Sequence, residues 1–258
     1  MGSRRLRIGL LFGLFITMLT GCSSQTYQWG WYEVLPLTLQ GQSNLRFLID
    51  GVWLTIAIAC LSLAGSIILG LLVALPGLST SRPLRAANRL YVELFRAVPV
   101  LVMILWVYYG LPIAAGVTLG PFAAGVLALT LCDSAFEAEI FRGAIQSIDR
   151  GQVEAADALG LTYGQKMRLV ILPQAIRRIL PALGNQFVYM LKMSSLVSVV
   201  GLQELTRRAN ELTVTVYRPL EIYTVLVAEY LLLILAASWL VRRLEAKTGA
   251  DARSVRQG

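Results

Sequence analysis

The sequence predicts an all-α membrane protein built around five membrane-spanning helices. Hydrophobic residues make up 56% of the 258-residue chain and charged residues only 15%, which is more apolar surface than one soluble core can bury. Five apolar segments approach the roughly 20 residues that a helix needs to cross a bilayer. Arginine and lysine are concentrated in loops that alternate between these segments, as expected for the cytoplasmic side of a membrane.

The five predicted spans form one transmembrane domain, which we place at residues 45–245. They cover residues 49–75, 94–115, 119–141, 180–202 and 222–241. If the spans alternate in direction, the basic stretches after the first, third and fifth spans are all cytoplasmic, including a basic tail over residues 246–258. The net charge of +8 then reflects topology and contact with anionic lipid headgroups, and it does not indicate nucleic-acid binding.

The N-terminal residues 1–22 are predicted to be a signal-like or anchor segment. Arginines precede a short apolar run that ends in Leu19-Thr20-Gly21-Cys22, which is similar to the lipobox of a bacterial lipoprotein signal. Cleavage would leave a lipidated Cys22, retention would leave an extra anchor helix, and a chance match remains an equal alternative. The aromatic residues 23–44 that follow are typical of a periplasmic interfacial segment.

A polar insert at residues 146–173 separates the third and fourth spans and carries two helix-start signals. Asp149 can cap a short helix while Gln152 returns a bond to the cap, and Gly160 supplies the left-handed residue that ends this helix. Thr162 and Gln165 form a second capping box. These local features fit either a rigid cytoplasmic lever or an ordinary amphipathic linker.

The first helix of the insert has features suited to contact with another protein. Glu154 lies in its first turn, where it favours the helix dipole and offers a charge to a partner. Ala155 and Ala156 leave part of the helix nearly bare, so that a neighbouring surface can approach the backbone. The second helix is expected to be deflected near Pro173, because proline has no backbone N–H to donate.

Ionisable residues inside the spans are candidate substrate contacts, because charges are costly in the bilayer and normally face inward. Asp133 and Glu137 share one helical face of the third span, and Lys192 lies in the fourth span before Ser194 and Ser195. In one interpretation, an acidic group binds a positively charged group of a substrate while Lys192 or the hydroxyls bind a negatively charged one. In the other, Lys192 and an acidic residue neutralise each other between helices.

Other chemistry finds little support in the sequence. The chain has no histidine, and its cysteines, Cys22, Cys60 and Cys132, are scattered, so neither a metal site nor a disulfide framework is expected. No P-loop pattern is present, so if the chain moves a solute uphill with ATP, another subunit must bind the nucleotide. Without a serine-base or histidine constellation, an intramembrane enzyme has no assembled nucleophile. Glu139 and Arg142, three residues apart, are expected to form a structural pair.

Several motifs, in the same order, resemble those of the ABC importer permeases. Glu154-Ala155-Ala156, then Gly160, then Ile171-Leu172-Pro173 resemble the EAA signature of the helix that docks on the ATP-hydrolysing subunit. Val170 stands where that signature usually has isoleucine, and Met193 stands where many relatives have an acidic residue. Further segments resemble the polar amino acid uptake branch of the family: ELFRAVP (93–99), EIFRG (139–143), PQA (173–175), NQ (185–186) and KMSSL (192–196).

The resemblance implies a five-helix ABC importer permease core with a cytoplasmic coupling helix, in a multi-pass protein of the bacterial inner membrane. Its implied partners are ABC ATPase subunits that bind ATP and Mg, a second copy or similar permease, and a periplasmic or lipid-anchored solute-binding protein. ATPase coupling would fall to Gln152, Glu154, Ala155, Ala156 and Gly160. The alternative is a proton-coupled secondary transporter that uses Asp133 or Glu137.

Overall fold

Every regular element among the described residues is helical, so the predicted all-α fold is confirmed. This computed structural model describes residues 27–248. The signal-like segment 1–22 with Cys22, and the tail beyond residue 248, lie outside the described residues. Residues 27–31 belong to a separate N-terminal unit, in which the Trp29 and Trp31 rings stack with centroids 6.0 Å apart.

The second unit begins at Tyr32. Its α-helices within the described range are α1 (Leu39–Ile49), α2 (Val52–Gly77), α3 (Arg82–Ala97), α4 (Val100–Leu105), α5 (Leu111–Ala115), α6 (Pro121–Gln146), α7 (Arg150–Ala158), α8 (Tyr163–Lys166), α9 (Leu172–Met193), α10 (Leu205–Val216) and α11 (Pro219–Thr248). Two π-helical turns, Trp106–Gly110 and Met167–Ile171, join α4 to α5 and α8 to α9. A 3-10 helix, Ser194–Val200, follows α9.

Two helical stretches of the described chain are long and apolar enough to cross a membrane. They are Leu39–Gly77, which includes α1 and α2, and Pro219–Ala246 in α11. The pair Arg82–Ala97 and Val100–Ala115 passes the same test together, but it bends by 96° at its break. The third and fourth predicted spans fall in α6 and α9, which are not among these stretches; α6 buries polar and acidic side chains along its length.

The second predicted span is broken in the structure. It covers residues 94–115, whereas α3 ends at Ala97 and α4 begins at Val100. Pro99 has no N–H to donate, and Val98 before it is extended, with φ −82° and ψ 125°, because the proline ring disfavours an α-helical residue at that position. The break therefore makes α3 an arm set at a steep angle to α4 and α5.

Helices α2 and α6 form the centre of the bundle and pack along their lengths, with α3 and α9 against both. The two helices approach closely at Gly70: a methyl group on it would lie 2.6 Å from Cβ of Glu137 and 2.9 Å from the Ser134 carbonyl. Apolar side chains from α2, α6 and α9, including Ile58, Leu129 and Met190, fill the core. This packing holds the polar residues of α6 away from the surface.

Candidate functional site

The lever, defined here as residues 146–173, contains two helices joined by a tight turn. Asp149 caps α7 by accepting a hydrogen bond from the Gly151 N–H at 2.6 Å. Gly160 has φ +69°, and the N–H groups of Gly160 and Leu161 bond to the carbonyls of Asp157 and Ala156, which is a Schellman ending. The predicted cap and left-handed glycine are confirmed.

The second predicted helix start is also confirmed, and Pro173 follows an irregular turn. Thr162 and Gln165 form the complete capping box of α8. The π-helical turn Met167–Ile171 then leads into α9, where the Leu172 N–H bonds to the Met167 carbonyl. We expected the backbone to depart from α-helical geometry near Pro173. The departure is the π-helical turn Met167–Ile171, which lies directly before this residue.

One detail of the first capping box is wrong. Gln152 does not return a bond to the cap; its Oε1 instead accepts a long hydrogen bond of 3.4 Å from Nε2 of Gln174 in α9. The short hydrogen bond from the Gly151 N–H to the Asp149 side chain caps α7 without a second bond from Gln152. Gln152 therefore connects the lever to the transmembrane bundle.

Two further contacts fix the lever to itself and to the bundle. Lys166 of α8 forms an ion pair with Asp157 of α7, with Nζ 2.6 Å from Oδ1. Arg178 of α9 donates to the Ser147 carbonyl at 2.5 Å, just after α6 ends. These contacts tie the two helices of the lever to each other and tie its first residues to α9.

The outer surface of the lever exposes both charge and large apolar groups. Glu154 and Ala155 are exposed, but Ala156 is only 2% exposed and packs inside the chain, so the bare surface is smaller than predicted. Leu159 and Tyr163 flank Gly160 and are 78% and 73% exposed. These two residues were not predicted from the sequence, although large apolar side chains beside a polar turn are a recognisable sign of contact with a partner.

Asp133 lies at the centre of a hydrogen-bond network among the bundle helices. It is 3% exposed, and its Oδ2 accepts a hydrogen bond from Ser66 of α2 at 2.6 Å. Its Oδ1 accepts one from the side-chain amide of Gln186 of α9. One carboxylate of α6 therefore links the bundle to the helix that continues the lever.

Glu137 lies one turn further along α6 on the same face, as predicted. It is fully buried, and within the described part of the chain neither of its carboxylate oxygens has a hydrogen-bond partner. Glu139 and Arg142 form the expected structural pair, with Oε2 2.5 Å from Nη2. Asp133 and Glu139 therefore have polar partners, whereas Glu137 has none among the described residues.

The structure does not bring Lys192 to the acidic pair. Lys192 lies near the end of α9 with an exposed side chain, and no ion pair joins it to Asp133 or Glu137 among the described residues. Of the two interpretations, neutralisation of an acidic residue by Lys192 is therefore not found among these side chains, because Asp133 accepts its hydrogen bonds from Ser66 and Gln186. Ser194 is buried and donates to the Leu191 carbonyl, and Ser195 donates to the Lys192 carbonyl.

Asp133 shares a small space with Met193. This space has a volume of about 10 Å³ and is lined by Asp133, Tyr189 and Met193, among others. This volume is too small for an amino acid, so any substrate contact there requires α6 and α9 to separate. In the described part of the chain, no group of three or more His, Cys, Asp or Glu residues is arranged to hold a metal ion.

At the opposite end of the bundle from the lever, α10 presents a polar surface. Glu204 caps this helix by accepting a hydrogen bond from the Arg207 N–H at 2.8 Å, and its other oxygen accepts one from Tyr230 at 2.9 Å. Glu211 pairs with Arg207, with Oε1 2.7 Å from Nε. The hydrogen bond from Gln203, followed by the Arg207 contacts, lowers the pKa of Glu211, so this surface keeps fixed charges.

Known proteins with a similar sequence are transport permeases. A family model described as "Binding-protein-dependent transport system inner membrane component" matches residues 66–249. The glutamine transport system permease protein GlnP of Escherichia coli K12 is 36% identical over 221 residues, which cover 85% of this chain and 98% of that protein. The arginine transport system permease protein ArtQ of Bacillus subtilis 168 is 36% identical over 204 residues, covering 79% of this chain and 93% of ArtQ.

Solved structures agree with these sequence matches. A chain from the crystal structure of an amino acid ABC transporter with histidines has a TM-score of 0.76 and 40% identity, covering 81% of this chain and 97% of its own length. A chain of the inward-facing MetNI methionine ABC transporter has a TM-score of 0.67, covering 79% of this chain and 97% of that chain. Its identity of 22% supports a shared fold only.

Proposed function

We propose, from the premise that this chain belongs to the family of binding-protein-dependent transport system inner membrane components, that it carries polar amino acids across the membrane. The chain is a permease subunit of an ABC importer in the inner membrane. The relatives named for glutamine and arginine transport support this substrate class. Membership of this family does not favour the alternative function, a proton-coupled secondary transporter that uses Asp133 or Glu137.

The lever is proposed as the contact with a separate ATPase subunit, which would bind ATP and Mg. The observation that carries this proposal is a stiff turn with exposed Glu154, Leu159 and Tyr163, tied to α6 and α9 by Arg178 and to α9 by Gln152. Closure of two ATPase subunits would move both levers, and rigid-body motion of the attached helices would alternate access to the path. The docked angle must differ between the two states, since equal binding to both shifts no equilibrium.

Two permease chains, identical or similar, are proposed to work as a pair, because each of two ATPase subunits needs one lever. A periplasmic or lipid-anchored solute-binding protein would deliver substrate to the polar surface of α10 and its flanking loops. The fixed charges of Arg207 and Glu211 support that role, since charge complementarity speeds association.

The substrate path is proposed to include Asp133, Glu137, Lys192, Ser194 and Ser195. The exposed side chain of Lys192 is available to a carboxylate, whereas Asp133 and Glu137 become accessible only if α6 moves away from α2 and α9. Met193, which stands where many relatives have an acidic residue, lines a cavity with Asp133. This arrangement supports Asp133 as the acidic group of the path in this chain.

ATP hydrolysis by the assembled importer tests the proposed function. The chain is to be reconstituted in vesicles with its ATPase subunits and binding protein, and hydrolysis measured against a panel of amino acids. We expect one or more polar amino acids to stimulate hydrolysis, and leucine to have no effect. Amino acid uptake by this chain without an ATPase, or no stimulation by any polar amino acid, would contradict the proposal.

A Lys192→Met variant extends this experiment to the substrate path. Loss of a charge-assisted hydrogen bond of roughly 1.5–3 kcal/mol should reduce the apparent affinity for the amino acid about tenfold or more. Lys192→Arg keeps the charge and serves as the matched control, while basal ATP hydrolysis reports on assembly. Unchanged uptake by Lys192→Met would remove this residue from the path but leave the importer assignment in place.

A further inference from the structure

A basic cleft lies between α2, α3 and α6, beside the first residue of the lever and apart from the substrate path. Its volume is about 360 Å³, and it reaches Gly77, the last residue of α2, and Gln146, the last residue of α6. Helix α3 forms its third wall. The charged residues that line it are Arg85, Arg89, Glu93, Arg96, Glu139 and Arg142.

The charges of the cleft are unevenly paired. Arg142 is held by Glu139 at 2.5 Å, so these two neutralise each other. Arg96 lies over the Phe136 ring, 5.0 Å from its centroid. For Arg85 and Arg89 no side-chain hydrogen bond or ion pair is found among residues 27–248, and both are exposed. With Glu93 as the remaining acid, positive charge is in excess.

From this arrangement we propose that the cleft binds a phosphate group. Guanidinium groups present paired N–H donors that match phosphate oxygens, and Arg85 and Arg89 are one helical turn apart on α3, facing the same space. Basic pockets between helices at the membrane surface are suited to anionic headgroups. The phosphate belongs either to an anionic phospholipid or to a dissolved ion.

The surroundings of the cleft favour the phospholipid source. Three leucines of α3, Leu84, Leu90 and Leu94, are 48%, 69% and 55% exposed, which places apolar surface on the same helix as the arginines. Acyl chains can cover such a surface while the headgroup occupies the cleft. Bound there, one lipid joins α3 to the lever-side end of α6.

Lipid titration of charge variants tests the proposal. The full-length protein, purified with its partner subunits in detergent, is titrated with phosphatidylglycerol and, for comparison, phosphatidylcholine, and bound lipid is counted by native mass spectrometry. Arg85→Gln and Arg89→Gln should each weaken phosphatidylglycerol binding about fivefold, and the double variant about 25-fold. Glu93→Gln, which removes the opposing charge, should strengthen binding.

Arg82→Gln is the matched control, because it removes the same charge from an exposed position of α3 outside the cleft. Phosphatidylglycerol binding by this variant should change less than about twofold. Inorganic phosphate at constant ionic strength separates the two sources. If inorganic phosphate displaces the lipid, the cleft recognises the phosphate group alone. If it does not, the cleft recognises the headgroup and acyl chains of the lipid together. Equal lipid binding by wild type and the double arginine variant, with no effect of phosphate, would overturn the proposal.

Discussion

Replacing Gly160 by valine is expected to reduce the amount of ATPase subunit that copurifies with this chain by at least about fivefold. A non-glycine residue in the left-handed conformation costs roughly 1–2 kcal/mol, and Gly160 has φ +69° with open space around it. The cost therefore comes from the backbone itself and not from a clash. The Schellman turn that presents Leu159 and Tyr163 should be lost from most molecules.

Gly160→Asn is the matched control, because asparagine tolerates the left-handed region far better than valine does. It should retain most of the copurified ATPase. Thermal unfolding of both variants checks that the membrane bundle remains folded. An undiminished ATPase yield with Gly160→Val would show that the shape of this turn does not matter for assembly.

Replacing Asp133 by alanine is expected to destabilise the bundle by about 1–3 kcal/mol, since a buried donor left without an acceptor costs roughly that much. Gln186 loses its acceptor, whereas Ser66 can still donate to the Leu63 carbonyl at 2.9 Å. A loss of this size should lower the melting temperature of the purified complex by roughly 2–12 °C. The measurement is thermal unfolding in detergent.

Asp133→Asn separates a structural role from a substrate contact. Asparagine keeps the shape and one acceptor oxygen, and Gln186 can turn its amide to match, so the melting temperature should stay near that of the wild type. Transport that falls with Asp133→Asn at an unchanged melting temperature would indicate that the charge contacts substrate. An unchanged melting temperature with Asp133→Ala would contradict the network described for α6.

The local features of the lever could be predicted from sequence because they depend on short-range chemistry. The Asp149 cap, the Thr162 capping box and the left-handed Gly160 each involve residues within three or four positions of one another. The shared face of Asp133 and Glu137 follows equally from helical periodicity. These local preferences agree with the packed fold, so tertiary packing leaves them unchanged.

The partners that lie far away in the chain could not be predicted from the sequence. Gln152 bonds to Gln174, and Asp133 bonds to Ser66 and Gln186, and no local pattern indicates these choices. The second span was predicted from its continuous hydropathy, and Pro99 breaks it. Which face of a helix meets which neighbour is decided by the packing of the whole bundle.

The contact between the lever and an ATPase subunit is the central claim, and site-specific photo-crosslinking measures it most directly. A photoreactive amino acid is placed at Leu159 in the assembled complex, and at Tyr217 as the control, since Tyr217 is 79% exposed but lies just after α10. We predict a covalent adduct between this chain and the ATPase subunit from position 159 and none from position 217. A complex that hydrolyses ATP but gives no ATPase adduct from position 159 would contradict the account.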